Sequence, residues 1–338
     1  MPGPANAVPA SPPEPEGVPF TLFRFRILAP LYELHQQTIE VSLAGGGATY
    51  LHFVVVGSQQ GQGATCKASS GASLSIPGDD IGSLHNTVIE VVLPGLLDTF
   101  PPPPPGVLPE GQRVAVDMLN VVIEHYRLVV SAPQIRRVPY KHARTFDFEH
   151  HHGDGKGTEG FVSGFGLSPK GDAAKVPAPK LTTKIQASVA KGPVPLWLTL
   201  KMDAMADLDA GNLQSGLAHH YMSFEMFAHG TCRRLGKNKP GPDEIEAFLS
   251  PKDGEPPSVY RVVSYCHELS GGKKGRGISK TKADKMVTAL WKHRNDVLHG
   301  RPLKLTPAIV ESAVQNYNES VGWMSAAQSA GSVVEATT

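Results

Sequence analysis

Within short runs between residues 20 and 93 apolar side chains alternate or cluster as β-branched stretches, whereas beyond Met202 they recur every three to four. That change of period constrains this chain more than any other feature. A strand presents alternate residues to one face, and a helix turns about 100° per residue. "FTLFRFRIL" sets Phe23, Phe25 and Ile27 against Arg24 and Arg26, and "TIEVSL" sets Ile39, Val41 and Leu43 against polar neighbours. "YLHFVVVG" and "NTVIEVVL" are β-branched runs closed by Gly or Pro. Together they predict one mostly antiparallel sheet. The five prolines 101–105 make a stiff connector, and "RVAVDMLNVVIEHYRLVV" then places Val114, Met118, Val122 and Val129 at helical spacing, predicting a helix packed on that sheet. From 134 to about 201 short runs punctuated by Gly and Pro return, and "TTKIQASVA" and "PLWLTLKM" read as further strands.

Beyond Met202, Leu217, Tyr221, Phe224, Ala228, Cys232 and Leu235 form one stripe, ended by Gly236 at the C′ position. "SVYRVVSYCHEL" predicts a short helix, and "SKTKADKMVTALWKHRNDVL" another that stops at "HGRP". Thr306 as N-cap and Pro307 at N1 open a last helix carrying Val310, Ala313, Val314, Tyr317 and Val321. The expected class is α+β. A Pro-rich disordered tail covers 1–18, a β-rich domain 19–201, a helical bundle 202–327 and a second tail 328–338.

The chain has 338 residues with 32 basic and 31 acidic side chains, so any preference for nucleic acid has to come from local clustering. Cys66, Cys232 and Cys266 lack CxxC spacing, which argues against a disulfide framework or a zinc site and for a reducing interior. The N-terminal stretch has no basic n-region or apolar h-region, and no later stretch approaches about 18 uninterrupted apolar residues. A cytoplasmic protein without membrane contact is expected.

The stretch that concentrates chemistry is "KHRNDVLHG", residues 292–300. On a helix counted from Ala283, Met286, Val287, Leu290, Trp291, Val297 and Leu298 span an arc of about 140°, and Arg294 falls inside it. A guanidinium on an apolar face carries a desolvation cost of several kcal/mol unless a carboxylate or a phosphate satisfies it. Glu225, at the edge of the first bundle stripe, is the best-placed carboxylate. His299 stands four residues after Asn295, so the amide can orient the imidazole, and the helix C-terminus favours the charged ring. Other Arg and His pairs have similar spacing, Arg137 with His142 and Arg261 with His267 among them. Only Arg294 combines mid-stripe placement, a following Asn and a His directly before Gly300. The structural alternative is a buried Arg294–Glu225 pair with His299 capping the helix.

These residues resemble the HEPN superfamily, α-helical bundles with an R-x(4–6)-H motif near the end of one helix. Here the motif reads "RNDVLH", and the resemblance covers roughly residues 204–327. It implies a homodimer whose two motifs line one cleft and cut RNA without metal or cofactor. His299 would be the acid–base residue, Arg294 would stabilise phosphate charge, Asn295 would support them, and Glu225 would hold the motif arginine. One subgroup continues its motif as His-x-Tyr, and this chain departs from it with "HGR". A β-rich domain ahead of such a bundle is similar to the ApeA-like abortive-infection proteins, which implies phage defence or toxin-type growth control. The ligand of the β-rich domain is not implied.

Local charge agrees with an RNA partner. Between Ser270 and Arg301 nine basic residues (Lys273, Lys274, Arg276, Lys280, Lys282, Lys285, Lys292, Arg294 and Arg301) oppose Asp284 and Asp296, nine less two being +7 in a chain of net +1. Of these, Lys273, Lys274, Arg276, Lys280, Lys292 and Arg301 are the expected RNA contacts beside the motif. A solvated helix face would give the same run. The alternative function is a non-catalytic bundle that binds RNA, a nucleotide or a protein. "EHHHGDGKG" offers His150, His151 and His152, but adjacent histidines in a Gly-rich loop diverge, and no metal site is expected. "GSQQGQGATC" and "GGKKGRGISK" both fail the phosphate-loop patterns, through Cys66 and Ile278 respectively. His219 and His220 read as surface or core-edge residues.

Overall fold

The computed structural model describes residues 17–27, 29, 31–43, 46–57, 65–67, 73–75, 85–95, 109–140, 147–152, 158–161, 179–238, 240–252, 254–270 and 305–334. Residues 1–16 of the expected tail 1–18, the connector 101–105 and the helix expected over 279–298 lie outside them. The chain divides into two compact units, Met1–Pro193 and Val194–Thr338.

The first unit is built on strands β1 (Phe20–Ile27), β2 (Gln37–Ser42), β3 (Ala48–Gly57), β6 (His85–Pro94), β7 (Asp147–His151) and β8 (Thr158–Phe161). Between β3 and β6 a small hairpin pairs β4 (Thr65–Lys67) with β5 (Ser73–Ser75). The six strands pair antiparallel in the order β2-β3-β6-β1-β7-β8. Alternation sorts the side chains as the sequence predicts. Phe23, Phe25, Ile39, Val41, Leu51, Phe53, Ile89, Val91 and Leu93 are buried on one face. Helix α1 (Glu110–Val130) lays Ala115, Val116, Leu119, Val122, Ile123 and Tyr126 on that face. Burying each Phe or Ile there contributes roughly 1.5–3 kcal/mol.

A second helix, α2 (Pro179–Val189), joins the same core through Ile185 and Val189. It replaces the strand expected over "TTKIQASVA". Two apolar residues four apart satisfy both a period of two and a period of 3.6, so the run is ambiguous until its burial is seen. The helix also covers an edge. The Glu40 amide donates to Gln186 Oε1 at 2.9 Å and Gln186 Nε2 donates to Glu40 O at 3.0 Å, satisfying backbone groups that edge strand β2 would otherwise leave open.

The second unit contains, among the described residues, α3 (Leu196–Asp209), α4 (Leu213–Leu235), α5 (Pro242–Leu249), α6 (Val259–Leu269) and α7 (Pro307–Val334). α3 overturns the strand reading of "PLWLTLKM". Its alternating Leu196, Leu198 and Leu200 mimic a strand, but Leu196 is 58% exposed and the buried row is Thr199, Met202 and Ala206. The α3–α4 hairpin is tight because Gly216 lets the helices touch. A Cβ there would stand 2.5 Å from Leu208 Cδ2 and 3.1 Å from the Ala204 carbonyl.

α4 is the hub, packing on α3, α5, α6 and α7. Its expected stripe is buried at Leu217, Tyr221, Phe224, Ala228 and Cys232. Gly236 follows its end with φ −85°, so the glycine is not there to supply a left-handed turn as expected. It makes room for Ile245 of α5, whose Cδ1 would lie 2.2 Å from an added Cβ. α6 is capped by Ser258, which accepts from the Arg261 amide, and α7 opens as expected with the Ile309 amide donating to Thr306 Oγ1 at 3.4 Å. α7 runs on to Val334, past the expected end at 327.

Candidate functional site

Arg294, Asn295 and His299 lie outside the described residues, as do Lys273, Lys274, Arg276, Lys280, Lys292 and Arg301. The described elements fix what flanks them. The segment 271–304 runs from the end of α6 to the start of α7, and both helices pack on α4. The contact with α6 is near its last turn, where Cys266 Sγ lies 3.8 Å from the Ala228 carbonyl. Ala228 is three residues beyond Glu225, about 4.5 Å along the helix.

Glu225 sits half-buried on α4. Among the described residues it makes no hydrogen bond or salt bridge, and its close electrostatic neighbour is His229, one turn on. Burial holds the His229 imidazole below its usual pKa. The Glu225 charge pulls it up, and Arg233 pushes it down. Its Nε2 is buried with no partner among the described residues. Met222 and Met226 flank this pair and are 43% and 42% exposed. The Glu225–His229 pair was readable as i,i+4 spacing, but sequence reasoning singled out only Glu225.

A second polar group lies inside the bundle. Ser223 Oγ donates to the Trp197 carbonyl at 2.6 Å and lies 2.7 Å from the Tyr317 hydroxyl, joining α3, α4 and α7. Burial pushes the Tyr317 hydroxyl up to about 12, with the Ser223 hydrogen bond opposing the shift. The His220 ring is 4.8 Å from the Tyr317 ring, and Lys201 Nζ is 5.7 Å from that same ring. His220 is 2% exposed, and neither ring nitrogen has a partner among the described residues. Burial, then Lys201 and His219, push its pKa down to about 4. The expectation of a core-edge residue is corrected for His220: α7 closes over it. His219 points elsewhere, with Nδ1 2.9 Å from Asp207 Oδ2, to which Ser215 Oγ donates at 2.6 Å. Serine and histidine thus bind the same carboxylate oxygen, an arrangement that clamps the α3–α4 hairpin without activating the serine as a nucleophile.

In the sheet unit the histidines of "EHHHGDGKG" begin on strand β7, not in a loop. His150 Nδ1 lies 3.0 Å from Thr21 Oγ1 on the helix-covered face, while His151 stacks on Phe20 at 4.3 Å on the other face. His152 is exposed. Among the described residues no group of three His, Cys, Asp or Glu could hold a metal ion. On the His151 face Arg24 donates to Glu90 at 2.8 Å and to Glu149. Burial pushes the Glu149 carboxyl up, but the Arg24 hydrogen bond and charge, with His151 beyond, hold it below the usual carboxylate range.

A cleft of about 300 Å³ beside α1 is lined by Asn120, Arg137, Val138, Pro139 and Tyr140. Its polar groups are committed. Asn120 bonds both backbone groups of Val138, Tyr140 donates to Asp117 at 2.5 Å, and Arg137 pairs with Glu124 at 3.3 Å. No described helix is long and apolar enough to cross a membrane. Set against protein-family models, curated proteins and solved structures, the chain finds no match in any of the three.

Proposed function

We propose that the helical unit is a HEPN-like, metal-independent endoribonuclease acting as a homodimer in the cytoplasm, in phage defence or toxin-type growth control. The observation that carries this reading is that "RNDVLH" belongs, in sequence, to a segment of net charge +7 whose two flanking helices are both held on α4, the helix on which Glu225 makes no hydrogen bond or ion pair among the described residues. Among the described residues four helices packed on the central α4 supply the rigid frame that such a site needs.

RNA carries its own nucleophile, the 2′-OH. Cleavage needs a base to take that proton, an acid for the departing 5′-oxygen, and positive charge on the pentacoordinate phosphorus. In this reading His299 moves the protons, Arg294 stabilises the phosphorane oxygens, Asn295 orients the imidazole, and Glu225 positions Arg294. The second copy contributes the partner imidazole. The basic run Lys273, Lys274, Arg276, Lys280, Lys292 and Arg301 draws in the phosphate backbone, so binding weakens as salt rises. The products carry 2′,3′-cyclic phosphate and 5′-OH ends, and DNA, lacking the 2′-OH, is left intact.

The test incubates end-labelled RNA with the full chain in EDTA. Wild type is expected to cleave, and His299→Ala and Arg294→Ala to lose roughly 100-fold or more. Equal cleavage by wild type and His299→Ala would refute the assignment. Salt-sensitive binding by wild type without any cleavage would assign the bundle to the non-catalytic class.

A further inference from the structure

Cys232 and Cys266 meet in the core of the helical unit. They are 0% and 2% exposed and belong to one apolar cluster with Ala228, Val262 and Val263. Cys266 Sγ lies 3.8 Å from the Ala228 carbonyl, and Ala228 is one turn before Cys232 on α4. The Cys266 thiol donates to that carbonyl, and the Cys232 and Cys266 side chains interact with each other inside the cluster. Both stand in the last turn of their helices. The Gly236 amide donates to the Cys232 carbonyl and the Ser270 amide to the Cys266 carbonyl, each closing its helix. The neighbouring sulfur lowers the Cys232 thiol, with burial opposing and Arg233 assisting, while the same contact and then burial push the Cys266 thiol up.

We propose that Cys232 and Cys266 are an oxidation site, closing into an intramolecular disulfide that staples the C-terminal end of α4 to that of α6 when the protein meets a hydroperoxide. The step balances with hydrogen peroxide as oxidant. The Cys232 sulfur attacks one peroxide oxygen, the O–O bond breaks, one water leaves, and a sulfenic acid remains. The Cys266 sulfur then attacks Cys232 sulfur, the S–O bond breaks, and a second water carries off the oxygen and the Cys266 proton. Two thiols are oxidised by two electrons, and one peroxide is reduced to two waters.

Burial shapes the behaviour of the pair. Peroxide reaches the sulfurs when the helix ends open, so oxidation is slower than at an exposed thiol, and the closed disulfide is shielded from reductant. A bridge of this kind in a reducing compartment is a transient, sensing one. α6 leads directly into residues 271–304, so the staple fixes the point from which the basic segment departs. The proposal itself concerns the thiols and does not depend on the nuclease reading.

The experiment uses the full chain carrying Cys66→Ser, which leaves these two thiols out of three. Native protein is exposed to hydrogen peroxide, quenched, unfolded and titrated for thiols, with peptide mapping alongside. The expected result is loss of both thiols, a Cys232–Cys266 linked peptide in monomeric protein, and a Tm higher by roughly 5 °C or more, as a cross-link closing about 35 residues implies. Cys266→Ala in the same background is expected to show neither the linked peptide nor the Tm rise. Persistence of both thiols, conversion to sulfinic acid without a cross-link, a link between two chains, or an equal Tm rise in Cys266→Ala would overturn the assignment.

Discussion

Replacing His220 with leucine is expected to flatten the fall in stability of the helical unit between pH 7 and pH 5. The imidazole is buried without a hydrogen-bond partner among the described residues, facing Tyr317 of α7, with Lys201 of α3 and His219 of its own helix as the nearest charges that disfavour its protonation. Its pKa is about 4 when folded against 6.5 when free. The sign follows from that order. As pH falls, the unfolded chain takes up the proton first, so stability is complete above pH 6.5 and is lost down to about pH 4, where the folded imidazole also charges. The full span is worth about 3 kcal/mol, and the part between pH 7 and pH 5 about 2 kcal/mol.

All three tryptophans, Trp197, Trp291 and Trp323, belong to the second unit, so denaturant unfolding followed by tryptophan fluorescence reads that unit alone. Other groups titrate in the same range, His229 among them, but they are common to wild type and His220→Leu and cancel in the difference. The stability difference between the two proteins is therefore expected to move by about 2 kcal/mol in favour of leucine on going from pH 7 to pH 5. A difference that stays constant within about 0.5 kcal/mol would refute the burial argument, because an imidazole that reaches water or a partner would not carry the shift.

Arg24→Ala leaves Glu90 and Glu149, each about four-fifths buried at the side chain, facing one another without their cation. A loss of about 2 kcal/mol from the sheet unit is expected at neutral pH. The Glu149 carboxyl is held low in the wild type, so its contribution is present above the usual carboxylate pKa and is lost as pH falls through the lower folded value; near-UV circular dichroism melts of the variant are expected to lack that acid limb. Gly216→Val forces Leu208 and the Ala204 carbonyl away from the α3–α4 contact, and a loss of about 2–3 kcal/mol is expected by tryptophan-monitored unfolding. An unchanged midpoint would mean the helices have room to separate.

Strands β1, β2, β3 and β6 were legible from alternation or from β-branched runs closed by Gly or Pro, whereas the short β7, with its adjacent histidines, read as a loop. Residues 181–189 were not legible, since Ile185 and Val189 fit both periods, and α3 was disguised by leucines of which the first faces solvent. The burial of His220 could not be read locally. It depends on Tyr317, almost a hundred positions away, and on α7 lying across α4. Gly236 was read as a cap for conformational reasons, and only the approach of Ile245 shows why a side chain is excluded there.

The same distinction bears on the proposed site. Sequence reasoning put Glu225 at the edge of the first bundle stripe, and it is half-buried on α4, but whether its carboxylate would be available to Arg294 depends on its neighbours. His229, one turn away, is the nearest competitor, and a protonated imidazole there would hold the carboxylate. Burial keeps that ring below its usual pKa and therefore neutral at pH 7, where it is a weak rival for a guanidinium that offers a two-pronged donor set and a permanent charge. In the proposed site, a ring that charges as pH falls would draw the Glu225 carboxylate from Arg294 toward His229. An arginine released from Glu225 is freer to meet a phosphate, so the Glu225–His229 pair would set how firmly the motif is held before substrate arrives.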